Sequence, residues 1–150
     1  MKKYIKDMLK SFTCGALIGS VCWCFAISST AASAQGQSTK DTVNGVSYTM
    51  QNSMSTGNNT ASAYTFNTAS RVLQAGSLGV RPMLCSADGR IVSQRDWIYS
   101  NRGSGLSAYA RTTDSTSDYY YSWGDARVWD DSKNDYIEYA LDRTPNVRFE

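Results

Sequence analysis

The sequence predicts an all-β fold, a small antiparallel β-sandwich or a partly open barrel, from three observations. Short runs alternate apolar and polar residues with a period of two, the mark of half-buried strands. Turn signals rich in Gly, Asn, Asp and Ser interrupt these runs every 8–12 residues. The stretch Asp118–Leu141 also reads as a hairpin whose register can be tested by its chemistry. Closed at Asp130 and Asp135, it sets Val128 against Ile137 and Ala126 against Tyr139 on one face. Trp129 then meets Tyr136, and Arg127 meets Glu138, on the other. Opposed aromatics and opposite charges each stabilise a sheet by roughly 0.2–1 kcal/mol, and a one-residue slip would turn both strands inside out.

Residues 1–34 read as a cleaved signal peptide. Lys2, Lys3, Lys6 and Lys10 form a positive start, Ser11–Ile27 is apolar and small, and Ala32-Ser33-Ala34 precedes Gln35 as a cleavage signal. A membrane span wants about 20 predominantly apolar residues. The shorter, interrupted core therefore favours a secreted product over one anchored by an uncleaved N-terminal segment. The membrane is then met only through the transient signal peptide. The whole chain carries +2, but without the leader eleven basic and twelve acidic residues remain, a net charge of −1. The basicity belongs to targeting, and nucleic acid is not an expected partner. Cys85 is the one cysteine left beyond the leader, so a disulfide framework within one chain is excluded, and a buried thiol in a strand is expected.

The chain from Gln35 is long enough for one modest core and too short for two. Residues 35–44 are polar and are expected to form a flexible N-terminal arm, with a single domain over 45–150. Gly45–Asn52 alternates as a strand, and Ser53–Asn59 reads as a turn. Thr60–Asn67 resumes the alternation, with Ala61, Ala63 and Thr65 on one side and Tyr64 and Phe66 on the other. Residues 70–79 are ambiguous between strand and helical turn. Asp88-Gly89 between Val80 and Trp97 signals a second hairpin. A two-residue turn would set Cys85 against Val92, and a three-residue loop with a Gly bulge would set Leu84 there. Pro82 suggests an edge position, since it has no N–H to donate. Leu106–Thr112 is a further strand, and Val147 and Phe149 could add an edge strand after Pro145. No repeat of 20–50 residues is present.

The chain has no histidine, which removes Ser-His-Asp and Cys-His catalysis and histidine metal sites. No Gly-rich phosphate loop occurs in a strand-loop-helix frame. Two carboxylates drawn from Asp96, Asp114, Asp118, Asp125 and Glu138 could in principle run glycoside hydrolysis. Most of them sit at turns of a domain with little room for a cleft, so an enzyme is not expected. Asp130–Asp135 clusters oxygen ligands but departs from the EF-hand pattern at its sixth and twelfth positions, where Asp135 and Leu141 stand. A solvated turn is expected there, with no metal and no cofactor.

The outward face of the aromatic segment is the candidate binding surface. Counting in twos from Trp129 places Arg127, Trp123, Tyr121 and Tyr119 on that face, joined across the hairpin by Tyr136. Such rings stack on sugars or bury into a partner protein. The same face could instead be the inner layer of the sandwich. The opposite face, with Tyr120, Ala126, Val128, Ile137, Tyr139 and Leu141, is the better core because it lacks the charges. A bulge near Gly124 could split the row.

Gly76-Ser77-Leu78-Gly79, the Asp88-Gly89 hairpin ending at Trp97-Ile98-Tyr99, and Tyr119–Gly124 before a final strand resemble small secreted β proteins of Gram-positive bacteria. Over residues 72–141 the layout is similar to that of the lactococcin-related bacteriocin group. The resemblance implies a small β-sandwich that interferes with the envelope of competing cells, although this chain lacks histidine in its aromatic segment. The expectation is a secreted, non-enzymatic binding protein acting at a cell envelope, bacteriocin-like, through an envelope component or a protein partner. A carbohydrate-binding or adhesion module is the alternative.

Overall fold

In a computed structural model describing residues 32–149, the period-two alternation resolves into two facing β layers. The leader expected over residues 1–34 lies outside the described residues, apart from Ala32–Ala34. The strands are β1 (Ser33–Gln35), β2 (Thr39–Val43), β3 (Val46–Gly57), β4 (Thr60–Leu73), β5 (Leu78–Arg81), β6 (Met83–Ser86) and β7 (Ile91–Gln94). They continue as β8 (Ile98–Tyr99), β9 (Gly103–Thr112), β10 (Tyr119–Ser122), β11 (Asp125–Asp130), β12 (Asp135–Ala140) and β13 (Val147–Arg148). Among the described residues no sheet closes on itself into a barrel, and the antiparallel sheets are consistent with a sandwich. No helix among the described residues is long and apolar enough to cross a membrane.

The first layer is built on β3, β4 and β9, with β2 and β1 one after the other along the free edge of β3. The turn expected over Ser53–Asn59 is shorter than its composition suggests. β3 runs on to Gly57 and pairs it with Thr60, and Asn58 and Asn59 alone make the turn, both at positive φ. The strand continues because Asn52, Met54 and Thr56 keep the inward alternation. The arm expected over residues 35–44 is likewise largely sheet. Thr39–Val43 pairs with Met50–Val46, its polar side chains suit an exposed edge, and buried Val43 anchors its end.

The second layer comprises two half-sheets, β13-β10-β6-β7 and β12-β11-β5-β8. They share one register. Ser122 faces Leu84 and Asp125 faces Arg81, and the Trp123 N–H donates to the Met83 carbonyl between them (3.0 Å). The break falls at Pro82, opposite Gly124. Pro82 is thus buried in the middle of the layer, not at the edge expected from its missing N–H, because the partner strand is interrupted at the same level. Leu78, Val80, Leu84, Tyr120, Ala126 and Val128 all point inward and are completely buried. Leu78, Val80, Leu84 and Val128 each contribute about 1.5–3 kcal/mol by this burial.

The β11–β12 register is the one its side chains predict, from Ala126 against Tyr139 to Trp129 against Tyr136. At the Asp88-Gly89 turn both expected registers occur in succession. Leu84 faces Ser93, then a bulge shifts Cys85 onto Ile91, and Gly89 takes positive φ in a three-residue loop. β13 supplies the edge strand expected at Val147, and Phe149 packs on the Tyr120 ring.

The core divides into two apolar clusters, one around Met50, Leu78 and Val128 and one around Met54, Leu84 and Tyr120. Between them runs a polar seam at the level of the break. The Asn52 amide donates to the carbonyls of Gly124 and Asp142, and accepts from the Thr65 hydroxyl (2.8 Å). The Asn67 amide reaches the carbonyl of Arg127 (2.9 Å). Buried polar groups are tolerated when paired; here the amide nitrogens of Asn52 and Asn67 donate to backbone carbonyls of the opposite layer, while Asn67 Oδ1 is buried without a partner.

Candidate functional site: an aromatic and arginine face

All three tryptophans among the described residues, Trp97, Trp123 and Trp129, lie on the outer surface of the second layer. Strand parity puts them there. Along β10 and β11 the even-numbered residues point inward, so Tyr119, Tyr121, Trp123, Asp125, Arg127 and Trp129 point outward, as counting in twos predicts. The break at Gly124 separates two half-sheets without swapping the faces. From Tyr119 to Trp129 the row spans roughly 33 Å at strand rise.

Arg127 is the centre of the face. Its guanidinium stacks 3.6 Å above the Trp97 ring, lies 5.1 Å from the Tyr136 ring, donates to the Tyr99 hydroxyl (2.7 Å) and pairs with Glu138. Gly79 makes this possible, because an added Cβ would lie 2.6 Å from Arg127 Cγ. The Tyr136 hydroxyl donates to the carbonyl of Gly76 (2.7 Å), itself at positive φ, so both glycines of the Gly76–Gly79 run have a physical role. Trp129 and Tyr136 meet edge to face at 5.0 Å, and Tyr136 continues to Tyr99 at 5.5 Å. Arg81 covers the Trp97 ring at 4.9 Å and binds Asp125 through two nitrogens. Such aromatic pairs contribute about 0.5–1.5 kcal/mol and such cation–π contacts about 0.5–2 kcal/mol, enough together to hold the face in one arrangement. Burial pushes the Tyr136 phenol up, with Tyr99 adding to the effect and Arg127 opposing it.

The expected row is not uniformly available. Tyr119 and Trp123 are exposed at 46% and 43%, and Arg127, Trp129 and Tyr136 are half-buried with their edges at the surface. Tyr121 is the exception, at 5% exposure, covered by the Arg143 guanidinium 5.2 Å from its ring and set beside Cys85. Burial raises both the Tyr121 phenol and the Cys85 thiol, so the thiol is the buried one expected. Trp97, Tyr99 and Arg81 belong to the face and were not read from the sequence. The outward parity of Tyr99 and the Trp97-Ile98-Tyr99 alternation were the available signals.

Three of the five carboxylates considered for hydrolysis are engaged separately. Asp125 pairs with Arg81, Glu138 with Arg127, and Asp114 accepts from Thr116 in a surface turn. The Asp130–Asp135 turn is organised by Asp130, which accepts from Ser132 and from the Asn44 amide; Ser132 and then Asn44 hold its carboxyl below the usual range. Among the described residues no group of three or more His, Cys, Asp or Glu side chains is placed to hold a metal ion. Compared with protein-family models the chain matches none, and no curated protein matches it.

Proposed function

We propose that the chain is an exported, non-enzymatic binding protein acting at a cell envelope, and that its outer aromatic face takes an uncharged polysaccharide. The observation that carries this reading is the charge pairing on that face. Arg81 is paired with Asp125 and Arg127 with Glu138, so the two arginines at the centre of the face carry no uncompensated charge. An anionic polymer or lipid headgroup would have to compete with two ion pairs already made, whereas a sugar ring needs only stacking area and hydrogen-bond partners. Exposed Trp123 and Tyr99 supply the first, and Asp125, Glu138 and the Tyr99 hydroxyl the second.

Because every described tryptophan lies on this face, intrinsic fluorescence reports its occupation. The exported protein is titrated with a soluble neutral glucan, with chitooligosaccharide, with teichoic acid and with anionic vesicles at about 0.15 M salt, where weak surface electrostatics are screened. A saturable change with a neutral glycan, weakened at least tenfold by Trp123→Ala and by Trp129→Ala, supports the reading. A response to teichoic acid or vesicles alone, or growth inhibition of neighbouring cells that both variants retain, overturns it.

A further inference from the structure

The expected cleavage bond, Ala34–Gln35, lies inside a paired strand. β1 runs antiparallel to β3 with Ala34 against Met54, the Thr56 N–H donates to the Ala32 carbonyl (2.9 Å), and the Gly36 N–H donates to the Asn52 carbonyl (2.9 Å). Antiparallel pairs alternate between bonded and non-bonded, so Ala32, Ala34 and Gly36 bond to β3 while the Gln35 N–H faces away from it. Ala32 and Ala34 also pack on the cluster formed by Met54, Ala61, Leu84, Tyr120 and Val147.

Resting on the export reading above, we propose that cutting after Ala34 turns this edge into a strand-acceptor site for an extended peptide with alanine-sized side chains at alternate positions. The cut removes the partners of the Met54 and Thr56 backbones and uncovers the apolar cluster beneath two small side chains. What remains stays anchored. Gly36 keeps its bond to Asn52, its carbonyl accepts from the Gln51 amide (2.9 Å), and it is wedged where a Cβ would lie 2.6 Å from the Asp142 carbonyl. The new terminal amine at Gln35 points to solvent and costs no buried charge. The vacated edge is flanked by β2, which continues to cover Val46–Met50, so the opening is confined to the segment that β1 occupied. An unpaired edge of this kind recruits a strand. The occupant it already fits is the small-x-small pattern of Ala32-Ser33-Ala34, since the two alanines are the side chains that pack on the cluster while Ser33 between them is exposed.

The test compares the full chain, leader uncut, with the protein collected after export, whose N-terminus is read by intact mass. Amide exchange at Met54 and Thr56 is then followed with and without the hexapeptide Ser29–Ala34. The expected result is an exported protein starting at Gln35, with exchange at both amides on the order of 100-fold faster than in the full chain. The hexapeptide should restore protection, and its Ala32→Leu/Ala34→Leu form should not. Slow exchange in a protein that starts at Gln35 overturns the opening of the edge. Fast exchange that the hexapeptide leaves unchanged overturns the acceptor site. A product that begins upstream of Ala32 overturns the inference together with cleavage at Ala34, while leaving export and the glycan reading standing.

Discussion

Gly124→Ala adds one methyl group where the two layers touch through polar atoms. Its Cβ would lie 2.0 Å from Thr65 Oγ1, 2.9 Å from Asn52 Oδ1 and 3.0 Å from the Arg81 carbonyl oxygen. Gly124 does not take a positive φ, so alanine suits the backbone conformation and only space is at issue. The Thr65 hydroxyl can swing away only by giving up its bond to Asn52, and the Arg81 carbonyl belongs to a paired strand and cannot yield. Overpacking costs about 1–3 kcal/mol, and a buried hydroxyl or amide left without a partner costs about 1–3 kcal/mol more. The substitution should therefore destabilise by about 4 kcal/mol, out of the roughly 6–18 kcal/mol expected for a domain of this length. At about 4 °C per kcal/mol the thermal midpoint falls by about 15 °C. Calorimetry on Gly124→Ala, Thr65→Ala and the double variant checks the origin, because Thr65→Ala removes the closest atom. The double variant should be less destabilised than the sum of the singles by at least about 1 kcal/mol. A midpoint for Gly124→Ala within about 2 °C of the parent, or strict additivity in the cycle, refutes the steric account.

Other parts of the structure make their own demands. Asn52→Ala leaves the Gly124 and Asp142 carbonyls and the Thr65 hydroxyl without partners, and should cost about 2–4 kcal/mol in urea denaturation with little change in slope. Asp41, Asp88 and Asp130 are each held below the usual carboxylate range, first by the hydroxyls of Tyr139, Ser86 and Ser132 respectively. Their stabilisation is complete above about pH 4 and is lost as the pH falls through the depressed folded values, so Asp130→Asn should flatten the acid limb of a urea midpoint-versus-pH curve. Tyr139 moves the other way. Burial, and then its bond to Asp41, raises its phenol, so that contribution is complete below about pH 10 and lost as the pH rises further, and Tyr139→Phe should flatten the alkaline limb, to which the raised Tyr121 and Tyr136 phenols also contribute. Cys85 is fully buried with its thiol pushed up by burial, so iodoacetamide at pH 8 should label it only after unfolding.

Where side-chain chemistry on both faces of a strand pair agreed, the register was legible in full. Arg127 against Glu138 and Trp129 against Tyr136 on one face, with Val128 against Ile137 on the other, admit a single alignment, and it is the one observed. The extension of β3 was not legible for a matching reason. Asn52 and Thr56 are polar yet point inward, so a count of apolar residues ends the strand several positions early. Their burial depends on carbonyls from residues 70 or more positions away, which local periodicity does not contain. The edge assigned to Pro82 failed in the same manner. A missing N–H is harmless at an edge, but it is equally harmless opposite a gap, and Gly124 supplies the gap.

That gap also determines the site. Below Pro82 the chain of β7 runs beside β6, and the Arg95 N–H donates to the Pro82 carbonyl (3.2 Å) as the chain crosses to β8 beside β5. Trp97 lies in this crossing, and so is carried over Arg81 and Arg127 on the neighbouring half-sheet. Counting in twos places Arg127 on the outer face. Only the interruption at Pro82 and Gly124 brings a tryptophan thirty positions earlier in the sequence to rest on it. One residue without an N–H and one without a side chain thus make the break that needs the inner polar seam and also assembles the outer aromatic face. Substitutions at the seam should therefore disturb the fluorescence of Trp97 even though no seam side chain reaches it.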